Sequence, residues 1–144
     1  MNWKYRDKEV LSHDDLPEGT TDIVYAIRYK DGSNYIGKKT IRSLVKKKPT
    51  KAQLAIRKNY SRKEWVNKPF VNYNGSSKLT KDNEITNKVI MYCSTNKRTA
   101  TYLEAKLLFE YDALFNPFMI NQNILGKFYD NSLDGLIGEL TWRY

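Results

Sequence analysis

Between Lys38 and Lys63 the chain carries eleven lysine and arginine side chains and no acidic one. Like charges repel and ordinary solvated faces mix both signs, so this run indicates an anionic partner. Aromatic and asparagine side chains follow within residues 60–74. Basic groups beside such residues suit phosphate contact together with packing against bases or sugars, which predicts nucleic-acid binding. The basic residues expected to make the contacts are Lys38, Lys46, Lys47, Lys48, Arg57 and Lys58.

The remaining composition narrows the class of protein. The 144 residues carry a net charge of +9, and residues 38–98 hold seventeen basic and three acidic side chains. An acidic protein or an anionic membrane is the alternative partner, and proline interruption without a large apolar face disfavours the membrane. One cysteine and one histidine exclude an internal disulfide, a Cys/His metal cluster and a histidine relay. Without a long apolar run or a signal core at its start, the chain is expected in the cytoplasm.

Local patterns then indicate the elements that position these side chains. Residues 22–30 and 34–41 are rich in β-branched and aromatic types around Asp31-Gly32, which predicts a β-hairpin. Residues 89–93 predict a third strand, and residues 50–63 and 101–115 predict helices. We expect an α+β fold, with a small antiparallel three-stranded sheet flanked by helices, preceded by an N-terminal arm over residues 1–21.

The length of the hairpin loop decides whether Tyr25 and Tyr35 share a face of the sheet. A two-residue Asp-Gly loop sets Tyr25 opposite Lys38 and separates the two rings, and the short-range turn rule favours it. A three-residue loop sets Tyr25 opposite Lys39 and places both rings on one face. We adopt the second register, or a bulge with the same effect, and it makes Lys39 the better placed of the two lysines.

Glu104 on the second predicted helix has two interpretations. The pattern Thr101-x-x-Glu104 is that of a capping box, in which the carboxylate bonds the start of its own helix. Glu104 also projects with Leu108 and Tyr111 on the mostly apolar face of that helix. A carboxylate aimed at the core is costly unless something pairs with it, so we favour a functional role.

Taken in order, these residues resemble a known family. Val24-Tyr25, Tyr35-Ile-Gly-Lys-Lys, Tyr73-Asn-Gly-Ser-Ser and Tyr102-Leu-Glu-Ala are similar to the corresponding segments of GIY-YIG nucleases, in particular the stand-alone, homing-type enzymes of large phages. The resemblance covers residues 22–125. It implies a phage-encoded endonuclease that hydrolyses DNA phosphodiester bonds, with Tyr73, Ser76 and Ser77 beside the phosphate.

The resemblance also implies the catalytic roles. A single carboxylate, Glu104, would hold Mg²⁺ or Mn²⁺, since Mg²⁺ keeps several waters and needs few protein ligands. Tyr25 would act as general base, with its pKa lowered by a nearby lysine. The other implied groups are Tyr35 and Lys39 for the attacking water, Arg42 or else Arg57 for the phosphate, and Asn121 or else Asn123 for local geometry.

We expect one nuclease domain over residues 22–125, with a basic insert at residues 38–81. Residues 126–144 would form a C-terminal extension packed on the same domain. The family's site arginine would fall at Val45, which leaves a second hypothesis of a catalytically silent factor that binds nucleic acid or protein. RNA is retained as an alternative substrate to DNA.

Overall fold

A computed structural model describes residues 1–59, 61–75 and 84–135. Its elements form a five-stranded main sheet, two separate two-stranded pairs and two α-helices. In chain order they are β1 (Trp3–Tyr5), β2 (Lys8–Val10), a 3₁₀ turn (His13–Asp15), β3 (Asp22–Tyr29), β4 (Asn34–Thr40), β5 (Arg42–Lys47), α1 (Lys51–Ile56), β6 (Arg62–Asn67), β7 (Ile85–Ser94), α2 (Lys97–Glu110), β8 (Asn123–Ile124) and β9 (Phe128–Tyr129).

The main sheet has the strand order β2-β1-β7-β3-β4, so the hairpin strand β4 lies at one edge. All neighbours pair antiparallel except β1 and β7, which are parallel. The α+β prediction is confirmed, whereas the expected sheet of three strands is too small. Residues 1–21, which we expected to form an arm, supply the two additional strands.

The N-terminal segment is held in the sheet because the side chain of Trp3 packs in the core of one face. Trp3 is fully buried, and its indole N–H donates to the carbonyl of Phe70 at 3.0 Å. That partner lies 67 residues further along the chain, so no local pattern reveals it. Arg6 and Asp7 both have positive φ, which a tight β1–β2 turn of the observed hand requires.

Each face of the main sheet has its own apolar core, and β3 is buried on both faces because it is central. One face packs Tyr25, Ile27 and Tyr29 against Trp3 and Phe70. The other face packs against α2, and its buried residues are Val24, Ile36, Ala100, Ala105, Leu107, Leu108, Ala113 and Ile124. The α-helix therefore covers one side only, while loops and the N-terminal turn cover the other.

Strands β5 and β6 form an antiparallel hairpin apart from the main sheet, which we call the basic ribbon (Arg42–Lys47 and Arg62–Asn67). The predicted helix over residues 50–63 is wrong beyond its first turns, because α1 ends at Ile56 and the chain returns as β6. Thr50 is the N-cap, as predicted, and forms a capping box with Gln53.

Helix α2 begins four residues before the predicted start, because Asn96 and not Thr101 caps it. The Asn96 side chain accepts a hydrogen bond from the Thr99 amide at 2.8 Å. Thr101 therefore lies inside the helix, and a capping box between Thr101 and Glu104 does not form. Within the described ranges, no helix is long and apolar enough to cross a membrane.

Candidate active site

The β3–β4 register places both predicted tyrosines on one face of the sheet. Tyr25 pairs with Gly37, and Ile27 pairs with Tyr35. The shared face is as predicted, but both predicted pairings of Tyr25, with Lys38 or with Lys39, are wrong. The last β3–β4 pair is Arg28 with Asn34, so the connection is longer than either loop considered. Its number of residues is odd, like that of the three-residue loop, and this places the two tyrosines on one face.

Aromatic rings surround Tyr25 on this face. Its centroid lies 5.1 Å from that of Trp3, 5.8 Å from Tyr73 and 6.3 Å from Tyr35. The Tyr25 hydroxyl donates to the Tyr73 hydroxyl across 3.4 Å. Tyr25 itself is fully buried, whereas Tyr35 and Tyr73 are half-buried. The three phenols, which we call the tyrosine cluster (Tyr25, Tyr35 and Tyr73), therefore include two rings that can meet a ligand.

Gly37 is the residue that allows this cluster to form. A Cβ atom at this position would lie 2.5 Å from the Tyr25 hydroxyl oxygen, 2.7 Å from Tyr25 Cζ and 2.9 Å from Tyr35 Cε1. Any side chain would displace a ring, so the phenol of Tyr25 lies directly across the glycine backbone. A β-bulge in β7 opposite Val24 and Tyr25 marks the same position in the neighbouring strand.

The surroundings of Tyr25 stabilise the neutral phenol. Burial raises the pKa of Tyr25, and the hydrogen bond to Tyr73 and the nearby Tyr73, Tyr35 and Glu104 groups raise it further. The expectation that a lysine lowers this pKa is therefore wrong for the free protein. Tyr25 remains a hydrogen-bond donor across the physiological pH range.

Glu104 lies on α2, close enough to Tyr25 to raise the pKa of its phenol. Burial raises the pKa of the Glu104 carboxyl, and the charge of Lys38 and a hydrogen bond from the Lys38 backbone partly offset this. The Lys38 ammonium donates to the Thr101 hydroxyl at 2.8 Å, one turn before Glu104. The carboxylate is thus held against β4 and not against the start of its own helix.

The two hairpin lysines have different neighbours. Lys38 interacts with the Glu104 carboxylate through its charge and its backbone amide. The Lys39 ammonium lies over the Tyr73 ring instead, 4.2 Å from its centroid. Lys39 therefore belongs to the tyrosine cluster, with a cation–π contact that fixes it beside the half-buried phenols. Both lysines flank the candidate site from adjacent positions of one edge strand.

Neither candidate site arginine is placed against these groups by a described contact. The Arg42 guanidinium lies over the exposed indole of Trp65 in the basic ribbon, 5.2 Å from the ring centroid. Arg57 is the exposed C-cap residue of α1. Arg42 starts β5 two residues after β4 ends, which makes it the nearer of the two along the chain.

Asn121 binds the exposed edge of β4 like an additional strand. Its amide nitrogen donates to the Ile36 carbonyl at 2.8 Å, and its amide oxygen accepts from the Ile36 amide at 3.1 Å. We call these two hydrogen bonds the Asn121 clamp. Ile36 is adjacent to Gly37, so the clamp fixes the backbone across which Tyr25 packs. Asn123 lies in β8 instead and accepts from the Gly126 amide at 3.0 Å.

Replacing Asn121 by alanine should destabilise the fold and slow any reaction at this site. Both polar groups of the buried Ile36 backbone lose a partner, which costs about 1–3 kcal/mol for each group left unpaired. Urea unfolding of Asn121→Ala measures this loss. Gln122→Ala, at an exposed neighbouring position, is the control, and equal midpoints for the two variants would contradict the clamp.

A buried lysine supports the cluster from beneath, and sequence reasoning missed it. Lys88 in β7 is 1% exposed, and its ammonium donates to the Asn74 side chain at 3.0 Å and lies 4.5 Å from the Trp3 ring centroid. Burial lowers the pKa of this ammonium. Asn74 follows Tyr73 directly, so Lys88 anchors the segment that supplies the third phenol. A lysine inside a strand of apolar residues was the available signal.

The residues fit a site for one hard cation with few protein ligands. Over residues 1–59, 61–75 and 84–135, no group of three or more His, Cys, Asp and Glu side chains forms a metal cage. Glu104 offers a half-buried carboxylate whose pKa is raised by burial, and a bound cation would relieve that cost. A single carboxylate suits Mg²⁺, which retains most of its water shell.

The predicted nucleic-acid contacts fall in several places. Lys46, Lys47 and Lys48 line one surface depression at the end of the basic ribbon, and Arg57 and Lys58 follow α1 as exposed residues. Tyr73 belongs to the tyrosine cluster. Ser76 and Ser77 lie outside the described residues, as do residues 136–144 of the expected C-terminal extension.

Comparison with protein families gives a match over most of the chain. Residues 3–132 match the family described as "Putative endonuclease segE, GIY-YIG domain". No match was found among curated proteins or among solved structures. The matched segment includes β1 and β2 as well as the hairpin, the basic ribbon, α2 and Asn121, so it covers every element that builds the site. The chain therefore belongs to the segE family of GIY-YIG endonuclease domains.

Proposed function

We propose that this protein is a Mg²⁺-dependent endonuclease that hydrolyses phosphodiester bonds in DNA. The observation that carries the proposal is that the Tyr25 and Tyr35 rings pack across Gly37, while the backbone of the next residue, Lys38, donates a hydrogen bond to Glu104. The basic ribbon leaves the same edge strand two residues later, so phosphates held by the ribbon can lie beside the cluster. Family membership supports nuclease chemistry, and the metal and the preference for DNA are our proposals.

The phenols have unequal roles in this proposal. Hydrolysis requires a water oxygen to attack phosphorus, a proton to leave that water, and the bond to the departing oxygen to break. Tyr25 stays protonated and donates to Tyr73, which orients the hydroxyl of a phenol that reaches the surface. Tyr73 and Tyr35 would then hold the attacking water and pass its proton to solvent through the half-buried Tyr73 hydroxyl, the departing oxygen would take a proton from solvent, and the buried Tyr25 would position the two phenols.

Positive charge for the phosphate comes from two directions. Lys39 lies over the Tyr73 ring and would contact a phosphate bound at the cluster. Glu104 would hold Mg²⁺, which when bound supplies neutralisation of the charge on the scissile phosphate and its leaving oxygen. Asn121 keeps the β4 backbone in place. The Arg42 guanidinium lies over Trp65 in the ribbon and not at the tyrosine cluster. We therefore assign Arg42 to contact with a phosphate held by the ribbon.

The deciding experiment follows supercoiled plasmid DNA over time with Mg²⁺, with Mn²⁺ and with EDTA. We expect conversion to open-circular or linear DNA with either metal and none with EDTA. The activity must disappear in a preparation that lacks the Glu104 carboxylate, which excludes a contaminating nuclease. A structured RNA of similar length, assayed in parallel, tests the preference for DNA.

A second function, binding without cleavage, is favoured by two observations. Tyr25 is buried and its pKa is raised, and Arg42 lies on Trp65 and not at the cluster. In that case wild-type protein would retard DNA on a gel but leave plasmid intact under every metal condition. A phage-encoded protein acting on host nucleic acid is compatible with either function and is proposed on the resemblance alone.

A further inference from the structure

The two faces of the basic ribbon differ in exposure. One face, which we call the outer ribbon face, carries Arg42, Leu44 and Lys46 from β5 and Lys63, Trp65 and Asn67 from β6. All of these are exposed except Arg42, which is half-buried. On the opposite face Glu64 is exposed, and the other residues are half-buried: Ser43, Val45, Lys47, Arg62 and Val66. The outer ribbon face is therefore the side available to a partner.

Like charges are paired across the end of the ribbon that connects to α1. Lys46 lies opposite Lys63, and Lys47 lies opposite Arg62. Like charges directly opposite each other destabilise an antiparallel pair. Glu64 contacts Arg62 at 3.5 Å and is the one acidic residue among residues 42–67, against nine basic ones. The free ribbon thus carries a repulsion that a polyanion would relieve.

The base of the outer ribbon face is apolar and aromatic. Leu44 and Trp65 face each other across the two strands and are 47% and 52% exposed. The Arg42 guanidinium lies over the Trp65 indole. In DNA the base edges lie between two rows of phosphates, so an apolar pair flanked by cations can contact bases and phosphates together. A surface that binds phosphates alone needs no exposed apolar pair.

We propose that the basic ribbon lies in the major groove of a DNA duplex, with Leu44 and Trp65 against base edges and Lys46 and Lys63 against the phosphates. The proposal rests on the proposed function, which makes DNA the substrate. The major groove of B-DNA, about 12 Å wide, admits a two-stranded ribbon, and the minor groove of about 6 Å does not. The ribbon would thereby set the distance and angle at which the duplex meets the tyrosine cluster.

The first test measures the salt dependence of binding to a short DNA duplex in EDTA, so that no cleavage occurs. Neutralising Lys46 and Lys63 together, as Lys46→Gln/Lys63→Gln, should reduce the slope of log K against log salt by about 1.8, which is 0.9 per phosphate contact. The matched control is Lys4→Gln/Lys8→Gln, two exposed lysines of β1 and β2, the strands furthest from β4 in the main sheet, and it should keep the wild-type slope.

The second test separates groove insertion from charge alone. Trp65→Ala removes the ring that contacts the bases, so it should weaken DNA binding about tenfold. It removes no charge, so the salt slope should stay unchanged. An A-form RNA duplex has a deep, narrow major groove that a ribbon cannot enter, so it should bind more weakly than DNA of the same length. Thermal unfolding of both ribbon variants checks that they fold, and loss of the Lys46–Lys63 repulsion should not lower the melting temperature.

The outcomes separate this proposal from the nuclease. An unchanged slope for Lys46→Gln/Lys63→Gln, or equal affinity for DNA and RNA duplexes, overturns groove insertion even where wild-type protein cleaves plasmid. The expected slope and preference for DNA, found with protein that never cleaves, support the ribbon and remove the nuclease function. Protection of guanine N7 from methylation by wild-type protein supports the major groove, and protection of adenine N3 alone overturns it.

Discussion

Glu104→Gln should abolish DNA cleavage while leaving DNA binding intact. The substitution keeps the size of the side chain and removes the one charged oxygen ligand that we assign to the metal. Metal stabilisation of the transition state is worth several kcal/mol, so the cleavage rate should fall at least about a thousandfold. Single-turnover cleavage of plasmid DNA measures the rate, and gel retardation in EDTA measures the affinity.

Glu110→Gln is the matched control, because Glu110 lies on the same helix, is exposed and pairs with Lys106 at 3.7 Å. It should cleave DNA at nearly the wild-type rate. Cleavage by Glu104→Gln within about tenfold of wild type would contradict the metal assignment. Loss of activity in both variants would instead indicate a general requirement for acidic charge on α2.

The same variant should be more stable than wild type at neutral pH and not at acidic pH. Burial raises the pKa of Glu104 above its ordinary value of 4.5, so the folded state binds a proton more tightly than the unfolded state. The resulting stability is present below that ordinary value and is lost as pH rises through the raised pKa. Glutamine cannot ionise, so the difference in melting temperature should grow from pH 4 toward pH 8.

Gly37→Ala should both destabilise the protein and remove its activity. The new Cβ would lie 2.5 Å from the Tyr25 hydroxyl oxygen, and Tyr25 is fully buried with little room to move. Overpacking of this kind costs about 1–3 kcal/mol. A ring shift of about 1 Å also costs roughly a hundredfold in rate where groups must be aligned. Urea unfolding and plasmid cleavage measure the two effects.

Two companion variants give this prediction its contrast. Gly135→Ala adds the same methyl group where, chain neighbours aside, no atom of the described residues lies within 4 Å of the new Cβ, so its stability should be unchanged. In a Tyr25→Phe background the hydroxyl contact disappears, but Tyr25 Cζ at 2.7 Å remains, so Gly37→Ala should still destabilise. Wild-type stability and cleavage for Gly37→Ala would show that the close packing of Tyr25 on Gly37 is not required.

The amino-acid sequence by itself determined some of the local elements and the family. The alternation of β-branched and aromatic residues predicted β3 and β4, and the side chain of Thr50 predicted the start of α1. These signals work because strand pleat and helix capping depend on residues only a few positions apart. The order of the motifs Tyr35-Ile-Gly and Glu104 then carried the family, which the match over residues 3–132 confirms.

Only the tertiary structure decided the size of the sheet, the register of the hairpin and the surroundings of Tyr25. Trp3 enters the core through Phe70, and Tyr25 meets Tyr73, in contacts between residues far apart in the chain. The direction of the Tyr25 pKa shift follows from burial, which no spacing of lysines reveals. Local patterns specify helices and strands, but long-range packing decides which side chains are buried together away from water. That shared burial sets their pKa values and their hydrogen bonds, and therefore their chemistry.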